Sequence, residues 1–220
     1  MKLVIVESPA KCKTIGKYLG NDYKVMASYG HIRDLATTGK GGLGVDIEHD
    51  FAPHYIEDKT KAKIITSLEK EAQKASEVLL ATDPDREGEA IAWHLAEVLH
   101  LPVDQTKRLE FHEITRPAIQ NAIEHPRTIN MDLVESQECR RILDRIMGFK
   151  LTGLLKKKIK MESAGRVQSA ALKLIVDHEK EIEAFVPEEY WTIQGSLSVI
   201  KKELPIKLDK IDGKQPQIHN

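Results

Sequence analysis

Residues 78–89 read Val-Leu-Leu-Ala-Thr-Asp-Pro-Asp-Arg-Glu-Gly-Glu, an uncharged apolar run that passes at once into four carboxylates and an arginine. Glu77 to Ala81 has the pattern of a strand buried on both faces, the kind found in parallel sheets. From Gly88 to His100 the apolar residues Ile91, Leu95, Val98 and Leu99 recur at helical spacing. A strand, an acidic turn and a helix therefore follow one another without a spacer. Anions packed this closely repel and raise each other's pKa unless a cation shares the site. Alternatively, Asp-Pro-Asp is a plain turn, with Glu87 and Glu89 complementing the start of the helix.

The N-terminal part repeats the rhythm. Leu3-Val4-Ile5-Val6 is a second β-branched run that ends in acid, at Glu7. Ser8 can cap the next helix with Pro9 at its first position, and that helix runs to Leu19. Tyr23 to Ser28 reads as a strand, Lys59 to Ser76 as an amphipathic helix, and Arg108 to Phe111 as a fourth strand. Gly39 to Gly44 is a glycine-rich loop. Alternating strands and helices predict an α/β fold, with a Rossmann-like, doubly wound parallel sheet.

After Pro126 the strands stop. Asn130 caps a predicted helix through Ile146, a second helix covers about 150–160, and a third runs from Ala164 to Phe185. Val186-Pro187-Glu188-Glu189 reads as a boundary, and Tyr190 to Leu208 alternates well enough for two strands. The expected organisation is residues 1–128 as the α/β domain, 129–186 as a mostly helical domain, and 187–220 as the start of a β-containing one. No apolar run reaches the roughly 18 residues of a membrane span. Two cysteines, Cys12 and Cys139, make no disulfide framework, so a reducing, cytoplasmic setting is expected.

The net charge of -1 hides an uneven distribution. Between Cys139 and Lys173 ten cations, among them Arg140, Arg141, Arg145, Lys156 and Arg166, face only Asp144 and Glu162, a net of +8. Arg141 and Arg145 share a helix face, beside Arg140, with Asp144 placed to orient one of them. Ser163-Ala164-Gly165-Arg166-Val167-Gln168 puts small residues at a helix start, where a backbone phosphate could approach closely. A basic helix can also be merely a solvated one; the density of charge favours nucleic-acid phosphate.

In open parallel sheets ligands bind beyond the carboxyl ends of the strands. Glu7, Asp83 and Asp85 lie there, and Glu87 follows. Asp83 and Asp85 are one residue apart, so an extended chain points their side chains the same way. Oxygen donors without His or Cys nearby select Mg²⁺. Lys11, one turn into the first helix, could hold an anion with the free N–H groups there, or be an ordinary solvated lysine. His31 and Arg33 fall on a loop near the same edge and are further candidates for DNA binding.

Five blocks of this sequence match a known family in order: Val6 to Lys11, Gly30 to Leu35, Ala81 to His94, Phe111 to Thr115, and Ser163 to Ser169. They closely resemble the bacterial type IA DNA topoisomerases, in the topoisomerase I rather than the topoisomerase III branch. The resemblance covers residues 4 to about 190 and implies a Toprim domain followed by a DNA-gripping helical domain. In that family a tyrosine attacks a DNA phosphodiester, giving a 5′-phosphotyrosyl link and a free 3′-OH; a strand passes, and the 3′-OH reseals the break. The resemblance implies Mg²⁺ at Asp83, Asp85 and Glu87, with Glu7 near it. Glu7 would be the general acid and base at the 3′ oxygen, and Lys11 the residue that stabilises the transition state. Arg140, Arg141, Asp144, Arg145, Lys156 and Ser163 to Gln168 would hold single-stranded, negatively supercoiled DNA in the bacterial nucleoid.

The family's nucleophile sits in Tyr-x-Arg-Thr-Asp-Ser. Tyr18, Tyr23, Tyr29, Tyr55 and Tyr190 all lack that context. The expectation is an N-terminal part of the enzyme, inactive without the C-terminal domains of the same chain. Two other readings stay open: a free-standing Mg²⁺-dependent nucleic-acid-binding module, and a different Toprim enzyme such as a primase or a small nuclease.

Overall fold

The computed structural model describes residues 1–160, 163–200, 202–216 and 218. Glu162, one of the two acids in the basic segment, lies outside the described residues. The chain forms β1 (Lys2–Val6), α1 (Pro9–Leu19) and β2 (Tyr23–Ala27), then the short strands β3 (Arg33–Leu35), β4 (Val45–Asp46), β5 (Ala52–Pro53) and β6 (Tyr55–Glu57). α2 (Ala62–Lys74), β7 (Val78–Leu80), α3 (Arg86–Val98), β8 (Lys107–Arg108) and α4 (Arg116–Glu124) follow. The chain continues with α5 (Met131–Ile159), α6 (Arg166–Ala184), β9 (Gln194–Val199) and β10 (Lys202–Lys207). By packing it divides into residues 1–166 and 167–220.

In the first unit four parallel strands lie in the order β2-β1-β7-β8. Strand residues alternate between two cores. Leu3, Ile5 and Leu80 pack with Ile65 and Leu68 of α2, with Ile91 and Leu95 of α3, and with Val134 of α5. Val4, Val6 and Leu79 pack on the other face with Ile15 of α1 and Ile119 of α4. Helices thus cover both faces, as the apolar runs of β1 and β7 predict. From β1 the chain first winds outward to β2, then returns to place β7 on the other side of β1. The topological switch point therefore lies between β1 and β7, where such sheets bind ligands.

Several elements differ from the sequence reading; Arg33, expected on a loop, lies in β3, and β3 to β6 are additional strands. The fourth strand is shorter, ending at Arg108, although the Leu109 amide still donates to the Leu80 carbonyl at 2.8 Å. Arg108 pairs on its other side with Arg127, which draws the chain away from the sheet. α4 is an additional helix; Thr115 caps it by accepting from the Ala118 amide, and a proline stands in its first turn. The helices expected to either side of residue 148 are one 29-residue helix, α5, capped by Asn130 and ending at Lys160 in the left-handed region. Gly148 and Gly153 cost it about 1 kcal/mol each relative to alanine, which packing of the continuous helix offsets.

β3 pairs antiparallel with β6 and β4 with β5, forming two small ribbons inserted between β2 and α2. Gly44 is required in this insertion: its φ is +64°, and a Cβ there would lie 2.0 Å from the Ala36 carbonyl oxygen. In the second unit β9 and β10 form an antiparallel hairpin, with Val199 opposite Lys202. No described helix is long and apolar enough to cross a membrane. Both cysteines are free.

Candidate functional site

Glu7 and Asp83 stand just beyond the carboxyl ends of β1 and β7, on either side of the switch point. The local sequence explains how they get there. Ser8 ends β1 by capping α1, its hydroxyl accepting from the Lys11 amide, and this brings Lys11 back over the strand end. The Lys11 ammonium donates to both the Glu7 and the Asp83 carboxylates. The Asp83 amide lies 3.5 Å from Glu7 Oε2. Burial pushes the Glu7 carboxyl up from its usual range, and the hydrogen bond shared with Asp83 pushes it further. The same shared bond, with Lys11, holds Asp83 below its usual range. Lys11 is raised because its bonds to Asp83 and Glu7 together outweigh the opposing effect of burial.

The other two acids of the turn go elsewhere. Asp85 does not project alongside Asp83; its Oδ1 accepts from the Gly88 amide at 2.7 Å and caps α3. Capping of α3 outweighs the strand-like alternation expected for Asp-Pro-Asp. Gly88 makes this turn tight enough: a Cβ there would lie 2.1 Å from the Asp83 carbonyl oxygen. Glu87 faces α5, accepting from Arg140 Nη1 at 3.0 Å and Gln137 Nε2 at 3.2 Å, with His31 Nε2 3.5 Å away. Among the described residues no three His, Cys, Asp or Glu side chains are gathered as a metal cage. The donors are nevertheless all carboxylate oxygens at one edge, the chemistry that suits a hard divalent cation. At Glu7 and Asp83 the Lys11 ammonium already supplies the positive charge that such an ion would bring.

Glu89, the last acid of the opening stretch, is fully buried and structural. It accepts from Arg127 at 2.6 and 2.7 Å, from Arg108 Nε at 3.3 Å, and from the Asn130 amide at 2.7 Å. Arg108, itself fully buried, also donates to the carbonyls of Leu109 and Asp83, both at 2.6 Å. Sequence reasoning missed Arg108 and Arg127. The available signal was a cation beginning an otherwise buried strand, since such a charge needs a buried partner.

The basic face of α5 is largely spoken for within the first unit. Arg141 holds Asp34 with a fork of bonds at 2.6 to 3.0 Å. Arg145 is buried, donates to the Leu35 carbonyl at 3.0 Å, and lies 5.2 Å from the Phe149 ring centre. Arg33 is sandwiched, its guanidinium 5.3 Å from the ring centres of both Tyr55 and Trp93. Asp144 accepts from Arg166 at 2.9 Å. Thr152 exchanges hydrogen bonds with the backbone of Ala164 at 3.1 and 3.3 Å, setting Ser163 to Gly165 against α5. Lys156 to Lys158, with Ser163 and Arg166, are exposed. Val167 and Gln168, on α6 of the second unit, are exposed as well.

A doubly wound parallel sheet thus carries an acid at each side of its switch point, with a lysine bridging the two. The Toprim domain family model matches residues 2–114, and the DNA topoisomerase model matches residues 128–217. The solved full-length topoisomerase I from Thermotoga maritima is 45% identical over 99% of this chain, with a TM-score of 0.73. The chain belongs to the Toprim family, in its bacterial type IA topoisomerase branch. It spans 36% of the length of the Thermotoga protein. A divalent metal cofactor accompanies the Toprim domain.

Proposed function

We propose that this chain is the metal- and DNA-handling part of a type IA topoisomerase, an isomerase that relaxes negatively supercoiled DNA through a transient single-strand break. The observation that carries this reading is the Lys11 ammonium bridging Glu7 and Asp83 at the switch point. The tyrosine nucleophile lies outside these residues, in further domains of the same chain. As the tyrosine oxygen, its phenolic proton passing to solvent, bonds to the phosphorus, the bond to the 3′ oxygen breaks. Glu7, whose carboxyl burial pushes up from its usual range, is the group placed to deliver a proton to that oxygen. On religation the Glu7 carboxylate takes the proton back from the 3′-OH and the phosphotyrosyl bond breaks. Lys11, released from its carboxylates, faces the phosphoryl oxygens and balances the charge that develops there.

Glu7, Asp83, Asp85 and Glu87 would hold the metal, which we take to be Mg²⁺. When bound it supplies charge neutralisation and alignment of the phosphodiester. His31 lies beside Glu87 and Arg33 behind it, as supports of this edge. Arg140, Arg141, Arg145 and Asp144 order α5, while Lys156 and the Ser163 to Gln168 stretch meet single-stranded DNA. Functionally, residues 1–128 carry the metal, 129–186 grip the strand, and 187–220 open a further domain.

Complementation tests this. Mixed with the tyrosine-bearing remainder of a type IA topoisomerase, the chain should restore Mg²⁺-dependent relaxation, and the Lys11→Ala chain should not. A mixture that associates but relaxes nothing overturns the proposal. Cutting of DNA by this chain alone with Mg²⁺ would replace it with a Toprim nuclease.

A further inference from the structure

The loop between β2 and β3, residues 28–32, is fastened to the end of β1. Ser28 is fully buried and its amide donates to the Val6 carbonyl at 2.9 Å. The Gly30 amide donates to the main-chain carbonyl of Glu7 at 3.0 Å. His31, next along, brings its Nε2 to 3.5 Å from Glu87 Oε2. One short loop thus touches two acids of the candidate site, Glu7 through the backbone and Glu87 through a side chain.

The loop has an uncommon shape. Tyr29 and Gly30 are consecutive residues in the left-handed region, with φ of +60° and +86°. A tyrosine is strained there, and such strain persists only where the surroundings over-determine it. The carbonyls of Tyr29 and His31 converge on one point, and converging oxygens repel unless a cation lies between them. Lys61 supplies it: its ammonium donates to the Tyr29 carbonyl and, at 2.8 Å, to the His31 carbonyl. The Gly30 carbonyl between them accepts from the Ser28 hydroxyl at 3.0 Å. Lys61 is brought there by the turn Lys59–Lys61, whose cap, Asp58, donates its amide to the Ile32 carbonyl at 2.9 Å.

We propose that Lys61 is a positioning residue for strand breakage, holding the loop in the shape that fixes the Glu7 backbone and sets His31 against Glu87. The reaction it serves is the one proposed above, and the inference rests on that reading. The Lys61 ammonium is spent on main-chain carbonyls and does not serve as a phosphate contact. Its removal should therefore slow the chemistry and leave strand binding alone.

Lys61→Met and Lys61→Arg, made in the 220-residue chain, are assayed for relaxation in the mixture with the tyrosine-bearing remainder. Calorimetry measures Mg²⁺ binding to each chain alone. Lys61→Met should lower kcat about 100-fold, with KM for DNA unchanged. It should weaken Mg²⁺ binding about tenfold. Lys61→Arg, which keeps the charge and its N–H donors, should recover part of both. An unchanged kcat in Lys61→Met, or a loss confined to KM or to melting temperature, overturns the proposal and leaves Lys61 a structural residue. If Lys61→Met does not fold, Lys61→Gln, which keeps an N–H donor without the charge, takes its place under the same criteria. If the unaltered chain relaxes nothing in the mixture, the topoisomerase reading fails and calorimetry alone decides the role of Lys61. Weaker Mg²⁺ binding in Lys61→Met with recovery in Lys61→Arg then upholds its control of the acids, and equal affinity overturns it.

Discussion

The fully buried guanidinium of Arg108 donates at 2.6 Å to the main-chain carbonyl of Asp83 while its Nε lies 3.3 Å from Glu89. One side chain therefore ties the end of β7, the start of α3 and the Asp83 backbone into a single geometry. Arg108→Met should cost about 3–5 kcal/mol, because Glu89 is deprived of a buried partner and keeps its charge. Urea unfolding measures this. The same variant should bind Mg²⁺ more weakly, since the Asp83 backbone is released; wild-type stability would mean that Arg127 satisfies Glu89 alone.

Two glycines make opposite predictions. Gly88→Ala places a Cβ 2.1 Å from a backbone oxygen that cannot yield, and should cost about 3 kcal/mol. Gly153→Ala, inside α5 with nothing within 4 Å of the new atom, should gain about 0.5–1 kcal/mol. Thermal melts of both, on the same preparation, check the contrast.

Asp85 has a capping role that the structure shows and a metal role that we propose, and asparagine separates them. Asp85→Asn preserves the cap and should leave stability within a few tenths of a kcal/mol, whereas Asp85→Ala should be destabilised by about 1 kcal/mol. Both should weaken Mg²⁺ binding by calorimetry. Unchanged affinity in Asp85→Asn would leave Asp85 as a cap alone.

His94 sets a pH dependence. Its pKa falls from an ordinary 6.5 to about 3 in the fold because burial disfavours the charged ring. Between those two values the unfolded chain binds a proton that the folded chain refuses. The stabilising contribution is therefore complete above pH 6.5 and disappears as the pH falls toward 3. His94→Leu should flatten stability against pH across that window; an unchanged slope would assign the acid sensitivity to other groups.

The basic segment should divide by burial. Replacing exposed Lys156, Lys157 and Lys158 with alanine should reduce the slope of log affinity for single strands against log salt, by about 0.7 for each phosphate no longer neutralised. Arg145→Ala should instead lower stability, because Arg145 is buried against the Leu35 and Ala36 carbonyls. Salt titrations beside unfolding curves distinguish the two effects.

Local patterns were enough for the parallel sheet, the caps at Ser8 and Asn130, and the acids at the ends of β1 and β7. Strand periodicity, capping chemistry and apolar runs act over a few residues, so they are written in the sequence itself. What each charge does was decided by residues far along the chain. Glu89 and Glu87 are two apart, yet one is buried by Arg108 and Arg127 while the other faces Arg140. Arg141 and Arg145 share a helix face, but α5 docks that face on Asp34 and the Leu35 carbonyl instead of leaving it to solvent. Electrostatic partners are chosen by tertiary proximity and burial, which no short window of sequence contains.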